Sequence, residues 1–245
     1  MEAILVTQRG SGTEHWSRQL GAGLALALRD AGHRVRWLRA TDRGERPAAP
    51  PEGVECIDVG GAGGAFRRVH ARVTDVALDT ALTRALRGRP AGTVVHVGYG
   101  SAGSVNTLWI ATRMGARCAV VARAAEVLCH RATLVDEQQR ACSAWEDVAR
   151  CTACCLAPGP LGRIEAVVAR RALCLGGLSP WPNPDAFRNR LELTVGNLQL
   201  AERVLVPAAA DAVALGAAGI PDRVVRVLGV LGPGAGLAVC NALFA

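Results

Sequence analysis

Glu2-Ala3-Ile4-Leu5-Val6-Thr7 is followed by Gln8-Arg9-Gly10-Ser11-Gly12-Thr13-Glu14-His15, then by Leu20, Leu24, Leu28 and Ala31, and this stretch decides the fold. A short, unbroken apolar run is the mark of a strand buried in a parallel sheet. The polar, glycine-bearing segment after it reads as a loop. The leucines then recur at helical spacing until Gly32, a good C-terminal stop. His33-Arg34-Val35-Arg36-Trp37-Leu38 alternates as a second strand. Strand, loop, helix and strand make a β-loop-α-β unit, which crosses over right-handed in a parallel sheet.

The same alternation continues outward. Residues 54–59 read as a third strand and residues 66–86 as a helix with Val69, Val73, Val76, Leu78 and Leu82 facing inward. Residues 93–97 give a fourth strand, 105–114 a helix and 118–122 a fifth strand. Further on, 161–173 and 184–200 are helical in pattern, 203–207 a sixth strand, 208–218 a helix and 223–228 a last strand. The expectation is an α/β protein with a doubly wound, mostly parallel sheet, Rossmann-like, over residues 1–228. A cysteine-rich insert spans 125–158. An apolar tail, 229–245, is broken by Gly229, Gly232, Pro233, Gly234 and Gly236. Half the residues are hydrophobic and only 4% aromatic, a mixture suited to helices packed through small side chains.

The formal charge of +7 is carried by arginine alone, since the chain has no lysine. Arg18, Arg29, Arg34, Arg36, Arg39, Arg43 and Arg46 are scattered, with no basic run and no interleaved aromatics, so no nucleic-acid partner is expected. No segment approaches the roughly 20 uninterrupted apolar residues of a spanning helix, leaving at most peripheral membrane contact. No signal peptide opens the chain and its nine cysteines are an odd number, so disulfides fit poorly and a cytoplasmic location is expected.

Cys129, Cys142, Cys151 and Cys154 follow the pattern C-x12-C-x8-C-x2-C, with His130 and Cys155 flanking them. The linking stretch is polar and buries little by itself. A tetrahedral Zn²⁺ takes four N or S donors at about 2.0–2.3 Å, and a C-x2-C pair offers two of them from one tight turn. A structural zinc is therefore expected on these four thiols. An iron–sulfur cluster is the minority alternative, and His130 or Cys155 replacing one ligand is another. The remaining reading is buried small hydrophobes, the role that their apolar settings give Cys56, Cys118, Cys174 and Cys240. Four thiolates form a closed site, which leaves no position for the water of a zinc hydrolase.

In doubly wound sheets ligands bind beyond the carboxyl ends of the strands. Gly10, Ser11 and Gly12 lie there, and the following helix N-terminus offers amides to an anion. G-x-G-x-x-G fails because His15 stands in place of its last glycine, and a Walker A loop fails for want of lysine. A tight turn capped by Thr13 is an equal alternative, and Glu14 in the first turn gains from the helix dipole either way. His96 ends the fourth strand near Ser101 and Ser104, although a lone strand histidine is more often packed in the core. No catalytic triad or carboxylate pair stands out, and Asp136, Glu137, Glu146 and Asp147 read as solvated charges. The substrate-binding set expected is Gly10, Ser11, Gly12, Glu14 and His96.

Three stretches together resemble the N-terminal domain of a GT-B glycosyltransferase of the retaining family 4 kind. The first is the opening strand, glycine loop and Glu14, running into Ala31-Gly32-His33-Arg34-Val35. The second is Cys129-His130-Arg131-Ala132-Thr133-Leu134-Val135-Asp136, then Cys142, then Arg150-Cys151-Thr152-Ala153-Cys154, similar to the family's C-P-R-G-x-L-x-D segment and its later cysteine pair. The third is Ala201-Glu202-Arg203-Val204-Leu205-Val206-Pro207 with Gly219-Ile220-Pro221-Asp222-Arg223-Val224. The resemblance implies an acceptor-binding domain whose glycine loop faces an interdomain cleft. It also implies a nucleotide-sugar donor and a glycan or small-molecule acceptor. Arg123-Ala124 stand where the family often has His-Asp, and Gly229-Val230-Leu231-Gly232 where an Asn-Gly is expected. The donor-binding domain is expected outside this chain, the enzyme being split, truncated or expressed without its partner half, so that a separate donor-binding domain is one possible partner. The competing expectation is a non-catalytic, degenerate binding module that keeps the fold and a structural zinc.

Overall fold

In the computed structural model, which describes residues 2–8, 14–41, 47–60, 74–88, 92–100, 104–130, 133–135, 140–142, 145–156, 184–229 and 235–244, the opening apolar run is β1 (Glu2–Thr7). The leucine-spaced stretch is α1 (Glu14–Asp30). Gly32 ends it with a φ of +82°, where a side chain would be strained. The Gly32 amide donates to the Arg29 carbonyl at 2.8 Å and the His33 amide to the Leu28 carbonyl at 3.0 Å, satisfying carbonyls that a helix end leaves unpaired. Next come β2 (Arg34–Thr41), β3 (Glu55–Gly60), α2 (Val76–Leu86), β4 (Thr93–Val97), α3 (Asn106–Arg113), β5 (Arg117–Val121), α4 (Ala124–Leu128) and α5 (Val148–Leu156). The chain continues with α6 (Pro184–Leu198), β6 (Arg203–Val206), α7 (Ala209–Ala217), β7 (Val225–Val227) and α8 (Ala235–Phe244).

The strands form one seven-stranded sheet in the order β3-β2-β1-β4-β5-β6-β7, and every pairing is parallel. The chain winds outward from β1 to β3, returns to β4, and winds outward the other way to β7. This is the Rossmann-like doubly wound arrangement, with its switch point between β1 and β4. Because side chains alternate across a strand, the sheet feeds two cores. Leu5, Val35, Trp37, Val95 and Val121 pack with Leu20, Leu24 and Leu28 of α1 and with Val239 and Leu243 of α8. On the other face Ile4, Val6, Leu38, Val94 and Val120 pack with Leu78 and Leu82 of α2, Leu108 of α3 and Leu198 of α6. Burial on both faces is why the strands read as apolar runs rather than clean alternations.

Several elements differ from the sequence expectation. The helix expected over 66–86 is described from Val76, with Asp75 as its N-cap; residues 61–73, including Val69 and Val73, lie outside the described residues. The Asp75 carboxylate accepts from the amides of Ala77 and Leu78, both at 3.2 Å, a stronger start signal than the upstream valines. Val76, expected inside, is 74% exposed because the inward face of that helix is set by Leu78 and Leu82. The helix expected at 161–173 lies outside the described residues.

The apolar tail contains α8, which lies along α1. A Cβ on Gly236 would stand 2.4 Å from the carbonyl carbon and oxygen of Gly23, so the two helices approach this closely only because position 236 is glycine. Arg203 of β6 donates to the Ala242 carbonyl, and His33 stacks on Phe244 with ring centroids 4.6 Å apart. Gly236, taken from sequence as a breaker, is the contact that seats this helix.

Candidate functional site

The β1–β4 switch point opens at the C-terminal edge of the sheet. Gln8 leaves β1 there and is buried. Its Nε2 donates to the Ser104 carbonyl at 2.8 Å and to Thr107 Oγ1 at 3.2 Å, while its Oε1 accepts from the Gly100 amide at 3.3 Å. One carboxamide therefore grips both ends of the segment after β4, and its own chain runs straight into the glycine segment before α1. Gly10, Ser11, Gly12 and Thr13 lie outside the described residues, as does Ser101. Glu14 is the first residue of α1.

His96 lies in β4 between Val6 of β1 and Val120 of β5, fully buried. Its Nδ1 is 3.3 Å from Thr107 Oγ1, and Thr107 donates its own hydroxyl hydrogen to the Ser104 carbonyl at 3.1 Å. Nε2 has no partner among the described residues. Burial holds this ring neutral, pulling its pKa down to about 3. Enclosed in this way, His96 supports Thr107 from beneath the site and has no face to solvent.

Beyond β5 the chain turns into α4, and Glu126 in its first turn is 1% exposed. Its Oε1 accepts from the Trp16 indole at 2.9 Å and its Oε2 from the Arg123 amide at 3.2 Å. The Arg123 guanidinium lies over the Trp16 ring, 4.6 Å from its centroid. Desolvation pushes the Glu126 carboxyl up to about 7, against the two hydrogen bonds and the Arg123 charge, with Asp211 adding to the rise. Gly100 passes so close beneath that a Cβ there would be 2.7 Å from the Glu126 carbonyl oxygen, at a φ of +115°. The exits of β1, β4 and β5 are thus tied into one edge. The sequence gives no sign of these ties, because Trp16 and Glu126 lie 110 positions apart and Gln8 and Ser104 lie 96 apart.

The cysteines gather at the side of this edge. Cys129 follows α4 directly. Val135 pairs antiparallel with Ala141, and the Cys142 amide donates to the Leu134 carbonyl at 2.8 Å, folding that residue back. Asp147 caps α5 by accepting from the Arg150 amide at 3.0 Å. Cys151 and Cys154 stand on α5 rather than in the tight turn that their spacing suggested; three residues apart on a helix, they share a face. Burial, and then the nearness of Cys129, Cys142 and Cys154, push the Cys151 thiol up to about 12, with Asp147 contributing least. Cys129, Cys142 and Cys154 are thus each within electrostatic reach of Cys151. All the described cysteines are free thiols, and among the described residues no three His, Cys, Asp or Glu side chains converge at metal-binding geometry. The donor chemistry suits a soft divalent ion, and an i, i+3 pair on a helix can serve one metal.

Of the two alternative ligands, Cys155 is buried beside Cys154. His130 is buried with its ring edge-on to Phe187, centroids 4.7 Å apart, and its Nδ1 accepts from Arg190 at 3.2 Å. Burial lowers the Arg190 pKa to about 10, opposed by Cys155, Tyr99 and Cys129. Cys118 and Cys240 are buried in the core as expected, Cys56 is half-buried on edge strand β3, and Cys174 lies outside the described residues. Glu146 and Asp147 are exposed, and Asp136 and Glu137 lie outside the described residues. Among the described residues no helix is long and apolar enough to cross a membrane.

No protein-family model and no curated protein matches the chain. Among solved structures it is similar to a UDP-GlcNAc 2-epimerase from Neisseria meningitidis bound to UDP-GlcNAc, at 12% identity and a TM-score of 0.48, covering 100% of this chain and 50% of that one. It is also similar to Os79 T291V from O. sativa in complex with UDP, at 15% identity and 0.46, covering 94% and 52%. A ugt transferase from Siraitia grosvenorii in complex with UDP gives 12% identity and 0.46, covering 94% and 51%. The chain spans about half the length of each.

Proposed function

We propose that residues 1–245 are the acceptor-binding half of a GT-B sugar transferase. In this reading a nucleotide-sugar donor is held by a second Rossmann-like domain facing the C-terminal edge of the sheet. The observation that carries the reading is the β1–β4 switch point, where Gln8 joins the root of the glycine segment to both ends of the segment after β4. Open α/β sheets bind ligands at this position. The three motif stretches that resemble family 4 glycosyltransferases give that site its chemistry. In this reading Gly10, Ser11, Gly12 and Glu14 are the substrate-binding residues that the sequence resemblance implies, and His96 supports Thr107.

Cys129, Cys142, Cys151 and Cys154 would hold a structural zinc. It would supply a cross-link between α4, the Val135–Ala141 turn and α5, and no reaction chemistry. Support comes from the electrostatic reach of Cys129, Cys142 and Cys154 to Cys151. The competing reading, a binding module without catalysis, is favoured by Arg123-Ala124 in place of the family's His-Asp.

The test combines this chain with a donor-binding domain, supplied separately or fused beyond residue 245, and a panel of nucleotide sugars and glycan acceptors. Acceptor mass is followed by mass spectrometry. Transfer that needs both halves supports the enzyme reading. Acceptor binding with no transfer from any donor supports the module.

A further inference from the structure

Arg123 stands at the exit of β5, half-buried, on the edge where open α/β sheets bind ligands. Its guanidinium lies over the Trp16 ring, and Glu126 fixes both halves of that pair. One carboxyl oxygen accepts from the Trp16 indole and the other from the Arg123 backbone amide. The carboxyl is spent on holding the ring and the main chain, and it leaves the guanidinium alone. Asp211, the other carboxylate close by, accepts from the Ala124 amide at 2.8 Å. Arg36, Arg39 and Arg117 each pair with a carboxylate, at 3.0, 2.6 and 2.9 Å. Among the described residues the Arg123 guanidinium makes no ion pair and no hydrogen bond.

We infer that Arg123, seated on Trp16, reads an anionic group on the sugar acceptor, so that the acceptor class is a sugar carrying a carboxylate or a phosphate. The inference rests on the acceptor-domain reading above and names the substrate class of that site. A guanidinium presents five donors in a planar fork that matches two oxygens of either anion. Held against an aromatic face, it has less side-chain freedom to lose when the ligand binds. The clamp also joins the switch point. Gly100, whose amide donates to Gln8, passes directly under the Glu126 carbonyl. A neutral sugar would take this place and leave the fork unpaired, which is how a polar site rejects an analogue lacking the matching group. The net charge of +7 adds a long-range pull on anions. No bond is made or broken at Arg123; its role is specificity.

The test titrates the full chain by calorimetry with a panel of sugars in matched neutral, uronate and phosphate forms, and with a nucleotide sugar and inorganic phosphate as further probes. The wild type is expected to bind the uronate or the phosphate form about tenfold tighter than its neutral counterpart, the scale of one charge-assisted hydrogen bond. That advantage should shrink as salt is raised, and the form preferred identifies the anion. Arg123→Gln is expected to bring the ratio to about one, and Arg123→Lys, which keeps the charge without the fork, to restore part of it. Equal affinity for neutral and anionic forms in the wild type overturns the inference and leaves the acceptor reading standing. A preference that Arg123→Gln leaves intact does the same. Inorganic phosphate bound as tightly as the sugar phosphate, or a nucleotide sugar bound through Arg123, also overturns it. No sugar bound in any form overturns the acceptor reading together with the inference. Should Arg123→Gln not fold, Arg123→Lys carries the comparison: a lowered preference supports the assignment, and an unchanged one overturns it.

Discussion

Glu126→Gln is the sharpest probe of how the sheet edge is assembled. The Glu126 carboxyl is raised from the ordinary 4.5 to about 7, chiefly by burial. At roughly 1.4 kcal/mol per pH unit, that displacement is worth about 3 kcal/mol. The sign follows from proton counting. Between about pH 4.5 and 7 the folded protein keeps the proton and the unfolded chain has lost it, so stability falls as pH rises through that window. Above pH 7 the loss is complete. Glutamine stays neutral at every pH, and it accepts from the Trp16 indole but offers the Arg123 amide a donor where an acceptor stood. Relative to Glu126→Gln, the wild type should therefore lose about 3 kcal/mol of stability between pH 5 and pH 8. Urea unfolding at half-unit pH steps, followed by far-UV circular dichroism, measures that difference, and taking it against the variant cancels the other titrating groups. A difference that stays flat across the window, or that grows with pH, refutes the account of Glu126 as a carboxyl held by desolvation.

Gly236→Val should force α8 off α1, since its Cβ would meet the Gly23 backbone, and cost about 1–3 kcal/mol in thermal unfolding. Gln8→Leu should strand the Gly100 amide, at about 1–3 kcal/mol for the group left unpaired, while the Ser104 carbonyl keeps the Thr107 hydroxyl. Amide hydrogen exchange at Gly100 should quicken more than that in β2. Zinc uptake should release protons from the thiols and weaken as pH falls, because thiolates are the ligands; proton release in weakly buffered solution measures it, and Cys151→Ser should abolish it.

What the sequence revealed follows from range. β1, α1 and Gly32 are written locally, as an apolar run, a helical period and a glycine that needs positive φ, and they fold as read. β4 matches to the residue, and β5 and β6 match within one. α4 was missed because five residues carry no period, and α8 because glycines in an apolar tail read as interruptions when one of them is a helix contact. Cys151 and Cys154 were read as a turn because a two-residue gap suits a turn and a helix alike. The ties that shape the site join Gln8 to Ser104, Trp16 to Glu126 and His130 to Arg190. Such pairs leave no periodic mark in a single chain. His96 illustrates the limit: its strand position is readable, while its burial against Thr107 depends on a helix packed above it.

Saturation-transfer NMR on this chain, with glycans and nucleotide sugars offered together and Gly12→Trp as the control, tests the central claim most directly. Glycan signals that vanish in Gly12→Trp, with none from the nucleotide sugars, are the result expected of an acceptor-binding edge at the β1–β4 switch point. Signals from a nucleotide sugar that Gly12→Trp abolishes, or glycan signals that it leaves untouched, would contradict it.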